Sequence, residues 1–545
     1  MSESAQAQSQ TRPIPPGGLA LPAVLERCAF PLGVAAIAAV VAGFLFHQLF
    51  AWAPHEDETL ALFVGRHPLD ELFQVVLAER GGAPLHFLLA WVVAHAGLGL
   101  GGLRTLSALF AVGSLPLVAL LGVRLAGRRE ALVATALVGT SWAFLFHGVY
   151  GRMYGLFLFT SALSYLALLV ALDRGDRRSW TLWTLAVLVT VASHPYGALV
   201  LATHGAYVVL ARRDRLRQAL VAAAAIVLLG VPFWLTNLVL ADRFGVGVGG
   251  GGERLGGPWP VARYFWRVLG DFTSGWWPVT IAAFALIAVG LLRLPRRTVI
   301  LLACVVGVPA LAFVAARLGS ATSPETRHLI FALPFVALAV AAGLLRLGRL
   351  MPVALAALVV AQLAWTWERT PQLFEWEPDE RQAARAEASA YLAATSRPDD
   401  VLFGYEPLYL GAWERNHDFP LTVLPRADAT LALETLQELE RPLGRGVWVL
   451  DASANNNIAP ALEIDWRSPE PPFAYDVRRF GPFLVIRTAQ PTVTPERYLR
   501  RAGHALLVGK ALRIGDADIN LVTVERAARE LRGYGKARSL STSSR

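Results

Sequence analysis

Three consecutive carboxylates stand at Glu56-Asp57-Glu58, directly after His55 and before Thr59. Such a group can divide acid–base work, one carboxylate taking the proton of an attacking hydroxyl while its neighbour orients it and raises its pKa by like-charge repulsion. Three further polar stretches interrupt apolar sequence: Tyr150-Gly151-Arg152-Met153-Tyr154, His194-Pro195-Tyr196 and Glu325-Thr326-Arg327-His328. Their guanidinium groups suit a phosphate, and their imidazole and phenol groups suit ligand contacts. Each taken alone has a plainer reading. Acidic residues at the end of a span are often simply solvated, Arg152 and Arg327 can snorkel to headgroups, His194 can be a satisfied structural histidine, and Tyr150, Tyr154, Trp276 and Trp277 fit an interfacial belt. What favours function is their company on one side, because charges at a membrane boundary are costly unless paired or hydrated.

The elements that must position these groups are membrane helices. Of 545 residues, 55% are hydrophobic and 17% charged, and the mean hydropathy is +0.46, which disfavours a cytosolic enzyme, a nucleic-acid binder or a disordered scaffold. The net charge of +9 comes from arginine clusters lying between apolar runs. These are Arg124/Arg128/Arg129, Arg174/Arg177/Arg178, Arg212/Arg213/Arg215/Arg217, Arg293/Arg296/Arg297 and Arg346/Arg349, and they set a topology with all five clusters inside. With Cys28 and Cys304 as the only cysteines, no disulfide framework or cysteine-rich metal site is available. The polar leader lacks the early apolar core of a cleavable signal.

With about 20 apolar residues needed per crossing, eleven spans are expected, near 30–50, 103–123, 131–146, 156–172, 180–192, 198–210, 220–240, 279–292, 299–316, 329–345 and 350–367. The segment 84–97, with His86 and His95, reads as a helix that does not cross, in a long first outer loop that also holds an amphipathic stretch at 69–77. The backbone should break at Ser193 to Gly197, and Gly245 to Gly257 reads as a flexible outer loop. After Trp367, strand-like runs at 401–405, 446–450 and 482–486 alternate with helical patterns at 431–439, 495–504 and 522–531. The expected organisation is a cytoplasmic leader 1–28, a transmembrane catalytic domain 29–367, an extracytoplasmic α/β domain 368–534 and a disordered basic tail 535–545. The fold class is thus an α-helical polytopic membrane protein with a C-terminal soluble α/β domain.

An Asp-Glu pair after the first span, a tyrosine-flanked arginine in the second outer loop, and an Arg-His-Leu segment opening a late span with Pro334 following together resemble the GT-C superfamily of integral membrane glycosyltransferases. The nearest groups are glycosyltransferase family 39 and the ArnT-like enzymes, relatives of the protein O-mannosyltransferases. The resemblance covers about Phe30 to Trp367 and departs from the common Arg-Tyr pattern at Arg327-His328. It implies an inverting hexosyl- or pentosyltransferase in the inner (plasma) membrane of a bacterium, moving a sugar from a polyprenyl-phosphate donor to an extracytoplasmic glycan, lipid or protein acceptor. On that reading Asp57 is the general base, Glu58 orients the acceptor or Asp57, and Arg327, then Arg152, meets the phosphate. His55, Tyr154, His194, Tyr196 and His328 complete the substrate-binding set. No cofactor is required, although a divalent metal could bind the carboxylates beside His55, as in the oligosaccharyltransferase branch, whose second acidic motif is missing at Tyr150 to Tyr154. Membrane lipids are partners and nucleic acid is not. Two other readings stand beside this one: a transporter or flippase of lipid-linked or small solutes, which should show internal repeats and mid-span polar groups, and a structural subunit with a decayed site.

Overall fold

A computed structural model describes residues 21–49, 51–52, 56–65, 68–74, 76, 82–245, 258–315, 325–374, 378–404, 406–416, 419, 423–424, 429–439, 442–451, 462–463, 465–466, 474–514 and 517–542. At a minority of these, Asp57 among them, only the backbone is described. His55 and the glycine run from 246 to 257 lie outside the described residues.

The apolar runs form helices because a backbone in lipid must satisfy its hydrogen bonds internally. In chain order they are α1 (Leu21–Gln48), α2 (Glu56–Gly65), α3 (Leu69–Gln74), α4 (Pro84–His95), α5 (Gly99–Leu125), α6 (Arg128–Thr140), α7 (Trp142–Val149), α8 (Tyr154–Arg174), α9 (Arg177–Ser193), α10 (Gly197–Ala211), α11 (Leu216–Leu229), α12 (Val231–Gly245), α13 (Pro258–Phe272), α14 (Trp277–Leu291), α15 (Arg296–Ala315), α16 (Leu333–Leu344) and α17 (Met351–Phe374). By length and apolarity alone, five helical stretches can cross a membrane, or up to eight if each bent pair counts as one span. One of the five, Thr326–Thr370, is itself divided at Gly348, whose φ of +55° no helix interior adopts. The described residues of the eleven expected spans lie on helices, two of the spans being broken at Ser141 and Gly230, and this is a multi-pass membrane protein.

The breaks have chemical causes. Ser141 caps α7 by accepting from the Phe144 N–H, and α6 and α7 meet there at 56°. The pair α11–α12 bends by 63° at Gly230, just before Pro232, and α13–α14 by 95°. α9 and α10 part at His194-Pro195-Tyr196, where proline cannot continue the ladder. α4 has 12 residues, about 18 Å at 1.5 Å each, and is too short to cross. Gly290 and Gly343 let α14 and α16 pack backbone to backbone, since a Cβ on either would strike the other helix's carbonyls. Buried Gln362 ties α17 to its neighbours, donating to the Leu137 and Phe272 carbonyls while Thr140 Oγ1 donates to its Oε1 at 2.6 Å. At the arginine-rich face, Arg124 and Arg212 both pair with Asp173, at 3.0 and 3.4 Å.

Beyond the bundle lie α18 (Pro378–Thr395), β1 (Val401–Gly404), α19 (Glu406–Arg415), β2 (Val423–Leu424), α20 (Ala429–Glu438), β3 (Gly446–Asp451), β4 (Tyr475–Phe480), β5 (Phe483–Thr488), α21 (Pro495–Ala511) and α22 (Ala517–Thr542). The sheet order is β2-β1-β3-β5-β4, with β2, β1 and β3 parallel and β5 and β4 antiparallel. Its core strands are buried on both faces: α18 and α19 cover one, and α20, α21 and α22 the other. Three differences from the sequence expectation appear in the helix bounds. α1 starts at Leu21, inside the expected leader, and α17 runs on to Phe374, past the apolar limit at Trp367, where Arg369 reaches Asp271. α22 continues to Thr542, into the expected tail, because its Ala, Arg, Lys and Leu residues are good helix formers.

Candidate active site

The clearest construction at the face bearing α2 to α4 is a buried ion pair. Arg104, near the start of α5, donates Nε to Glu58 Oε1 and Nη2 to Oε2, both at 2.8 Å. Its Nη1 donates to the Leu49 and Trp52 carbonyls, each at 2.7 Å, so one side chain fastens the end of α1 and the first turn of α2. Glu58 accepts a third bond, from the Gly151 N–H at 2.7 Å. Glu58 is fully buried and Arg104 is 2% exposed. The fork geometry and full satisfaction of the carboxylate are what make so dry a pair tolerable. Glu58 therefore braces α2, and Asp57 in the same turn is held by backbone geometry; the Asp57 side chain lies outside the described atoms.

Gly151 links this brace to the second polar stretch. Its Cα approaches Glu58 so closely that a Cβ would sit 3.1 Å from Oε1, and at Gly155 a Cβ would sit 2.7 Å from the Ser107 carbonyl. Ser107 Oγ in turn lies 3.0 Å from the His147 and Tyr150 carbonyls. The loop from Tyr150 to Tyr154 is thereby pinned to α5, and Tyr154 is presented inward.

Around Tyr154 the remaining groups converge. The Arg327 guanidinium lies over its ring at 5.3 Å, and the rings of His147, His194 and His328 are 4.7, 5.5 and 6.1 Å away. His194 and His328 are 5.5 Å apart, and Tyr196 is 4.9 Å from His328. His194 Nδ1 accepts from the Tyr196 N–H, and His328 Nδ1 accepts from the Glu325 N–H. A nitrogen that accepts carries no proton, so in both rings the remaining proton is on Nε2. The permanent positive charges of Arg152 and Arg327 both reach His194, so the field here favours an anion.

Arg327 has a second engagement. Glu325 holds its Nε and Nη2 at 2.7 Å, while the Tyr264 hydroxyl donates to the Glu325 carbonyl at 3.0 Å. Thr326 Oγ1 donates to Asp271 Oδ2 at 2.5 Å, and Arg369 Nε stands 3.7 Å from Asp271 Oδ1. The segment Thr326–Ala332 is a 3₁₀ turn capped by Glu325 and His328 reciprocally. Two of its apolar residues, Leu329 and Ala332, line an apolar groove of about 500 Å³ between α13, α14, α15 and α16. Phe265, Leu269, Phe284, Leu302 and Phe335 also line it.

Of the sequence-derived site residues, the structure gathers Tyr154, His194, Tyr196, Arg327 and His328 into one cluster, with the charge of Arg152 within its reach, and connects that cluster to Glu58 through Gly151. His55 lies outside the described residues, as do the side chains of Glu56 and Asp57, where a divalent ion would have to bind. Sequence reasoning missed Arg104, His147, Asp271 and Arg369, and named Glu325 without giving it a role. Arg104 carried a usable signal, a lone arginine opening an otherwise apolar span.

No protein-family model matches the sequence, and no curated protein does. Solved structures do. ArnT from Cupriavidus metallidurans in the apo state superposes with a TM-score of 0.57 at 16% identity, over 85% of this chain and 98% of that one. The same protein bound to undecaprenyl phosphate gives 0.56 at 16% identity, over 84% and 98%. At this identity the likeness establishes the fold and nothing beyond it.

Proposed function

With the fold of ArnT as premise, we propose that this chain is an inverting membrane glycosyltransferase that moves a sugar from a polyprenyl-phosphate donor to an acceptor on the extracytoplasmic side of the plasma membrane. The observation that carries the reading is the Thr326–Ala332 segment. One short turn presents Arg327 and His328 to a polar cluster and Leu329 and Ala332 to an apolar groove. A molecule with an anionic head and an isoprenoid tail matches both at once, and a neutral or fully soluble donor matches only one. The ArnT structure bound to undecaprenyl phosphate supports the same class of ligand.

In the proposed reaction Asp57 takes the proton of the acceptor hydroxyl as its oxygen attacks the anomeric carbon. The bond from that carbon to the phosphate oxygen breaks, and polyprenyl phosphate leaves. Arg327, and Arg152 as second choice, opposes the negative charge growing on the phosphate, a type of interaction worth about 10²–10³ in rate per donor removed. The Nε2 protons of His194 and His328 supply neutral donors beside it, and Tyr154 and Tyr196 flank the sugar. Glu58 serves Asp57 indirectly, by fixing the turn that carries it. The reaction so written draws on no cofactor.

Asp57→Asn in reconstituted membranes tests the base. Turnover should fall by about 10²–10⁴, the usual worth of a positioned base, with polyprenyl-phosphate binding kept. Near-normal turnover would remove Asp57 from the mechanism.

A further inference from the structure

α2 is restrained from three directions, and the third comes from the C-terminal domain. At its start, Glu58 is locked to Arg104 and to the Gly151 N–H. At its end, Gly65 packs on the α4 backbone so tightly that a Cβ would sit 2.7 Å from the Ala90 carbonyl carbon. On its outer side lies α19, whose Trp413 packs both against the small apolar cluster of α2 and α4 (Ala61, Leu62, Val64, Phe87 and neighbours) and against the core under α18 and α19. α19 is itself immobilised on α18, since Ser389 Oγ donates to the Leu408 carbonyl at 3.0 Å and Asn416 Nδ2 to the Ala393 carbonyl at 3.1 Å. A second tether runs from Gln382 Nε2 on α18 to the Ala51 carbonyl at 3.4 Å, between α1 and α2.

We propose that Trp413 is a positioning residue through which the C-terminal domain holds the helix of Asp57 in its working place. The proposal rests on the glycosyltransferase reading for its catalytic half and on packing alone for its structural half. α2 has 10 residues, too few to be stable on propensity, so its order derives from what it packs against. The Trp413 indole is a large apolar group offered to it by α19. Its removal takes away the contact with α19 and leaves α2 held only from the side of α4 and α5.

The experiment compares full-length wild type, Trp413→Ala and Trp413→Phe in nanodiscs by hydrogen–deuterium exchange and by sugar transfer from a polyprenyl-phosphate donor. In Trp413→Ala the α2 amides (56–65) should exchange about tenfold faster or more, while β3, β5 and α8 keep wild-type protection. Trp413→Phe should restore most of the difference. In parallel kcat should fall about tenfold with the KM for donor unchanged. Unaltered α2 exchange in Trp413→Ala would overturn the proposal, and so would equal loss of protection throughout the C-terminal domain, which would make Trp413 an ordinary core residue. A wild type that transfers no sugar would refute the enzymatic reading, and the exchange result would then still decide the docking.

Discussion

Replacing Glu58 by alanine removes the carboxylate that satisfies a guanidinium 2% exposed and a loop N–H at once. Breaking one partner of a buried pair costs about 3–5 kcal/mol, because the charge left behind has neither water nor counter-ion. An exposed pair of the same geometry would cost about 0–1 kcal/mol, so the magnitude itself reports burial. Arg104→Ala should cost more than Glu58→Ala, since it also strips the Leu49 and Trp52 carbonyls of their donor. In Glu58→Ala/Arg104→Ala the two losses should not add: the double variant lacks the uncompensated charge and should recover about 2–3 kcal/mol of the summed cost, the upper range for directly coupled residues. The assay is detergent-induced unfolding of purified protein, run as a double-mutant cycle, with unfolding rates at fixed temperature where refolding fails. Strict additivity, or a Glu58→Ala cost below about 1 kcal/mol, would show that the pair does not brace α2.

His504 stacks on Tyr475, its Nδ1 3.3 Å from the hydroxyl, and burial holds its pKa below the ordinary histidine value. A base with a depressed folded pKa contributes stability that is present above about pH 6.5, the unfolded value, and is lost as pH falls through the folded value. The C-terminal domain should therefore lose stability on acidification from pH 7 to 5, and His504→Phe should flatten that slope; identical pH profiles for wild type and variant would contradict it. For the chemistry, chelation by EDTA should leave sugar transfer unchanged. A loss that Mg²⁺ or Mn²⁺ restores would instead make the carboxylates around Asp57 metal ligands.

Much of the fold is legible in the chain because apolar length is a local signal. α5, α8 and α15 declare themselves by runs of about 20 residues, and Pro195 announces the break between α9 and α10. α13 was not legible: Arg263, Arg267 and Asp271 interrupt its apolar residues, giving an amphipathic helix with Trp259 and Trp266 outward in place of a span. The short β2, the exposed β4, α18 and α19 escaped for a related reason, as their patterns are weak without the sheet they cover. Tyr154, His194, Tyr196, Arg327 and His328 were named from the sequence, whereas His147 beside them and the wiring of the cluster were not. Glu58 finds Arg104 at a separation of 46 residues and Gly151 at 93, and no local pattern encodes such partners. Arg327, expected from the sequence to meet a phosphate, is paired with Glu325, so a phosphate bound there would have to compete with a carboxylate already in place.

The central claim is that one turn, Thr326–Ala332, holds both ends of a polyprenyl phosphate. Native mass spectrometry of the purified protein titrated with undecaprenyl phosphate tests it directly, with Arg327→Ala alongside. Wild type should take up one lipid and Arg327→Ala should bind it at least tenfold more weakly, about 1.4 kcal/mol. Equal binding by the two proteins, or none by wild type, would contradict the account.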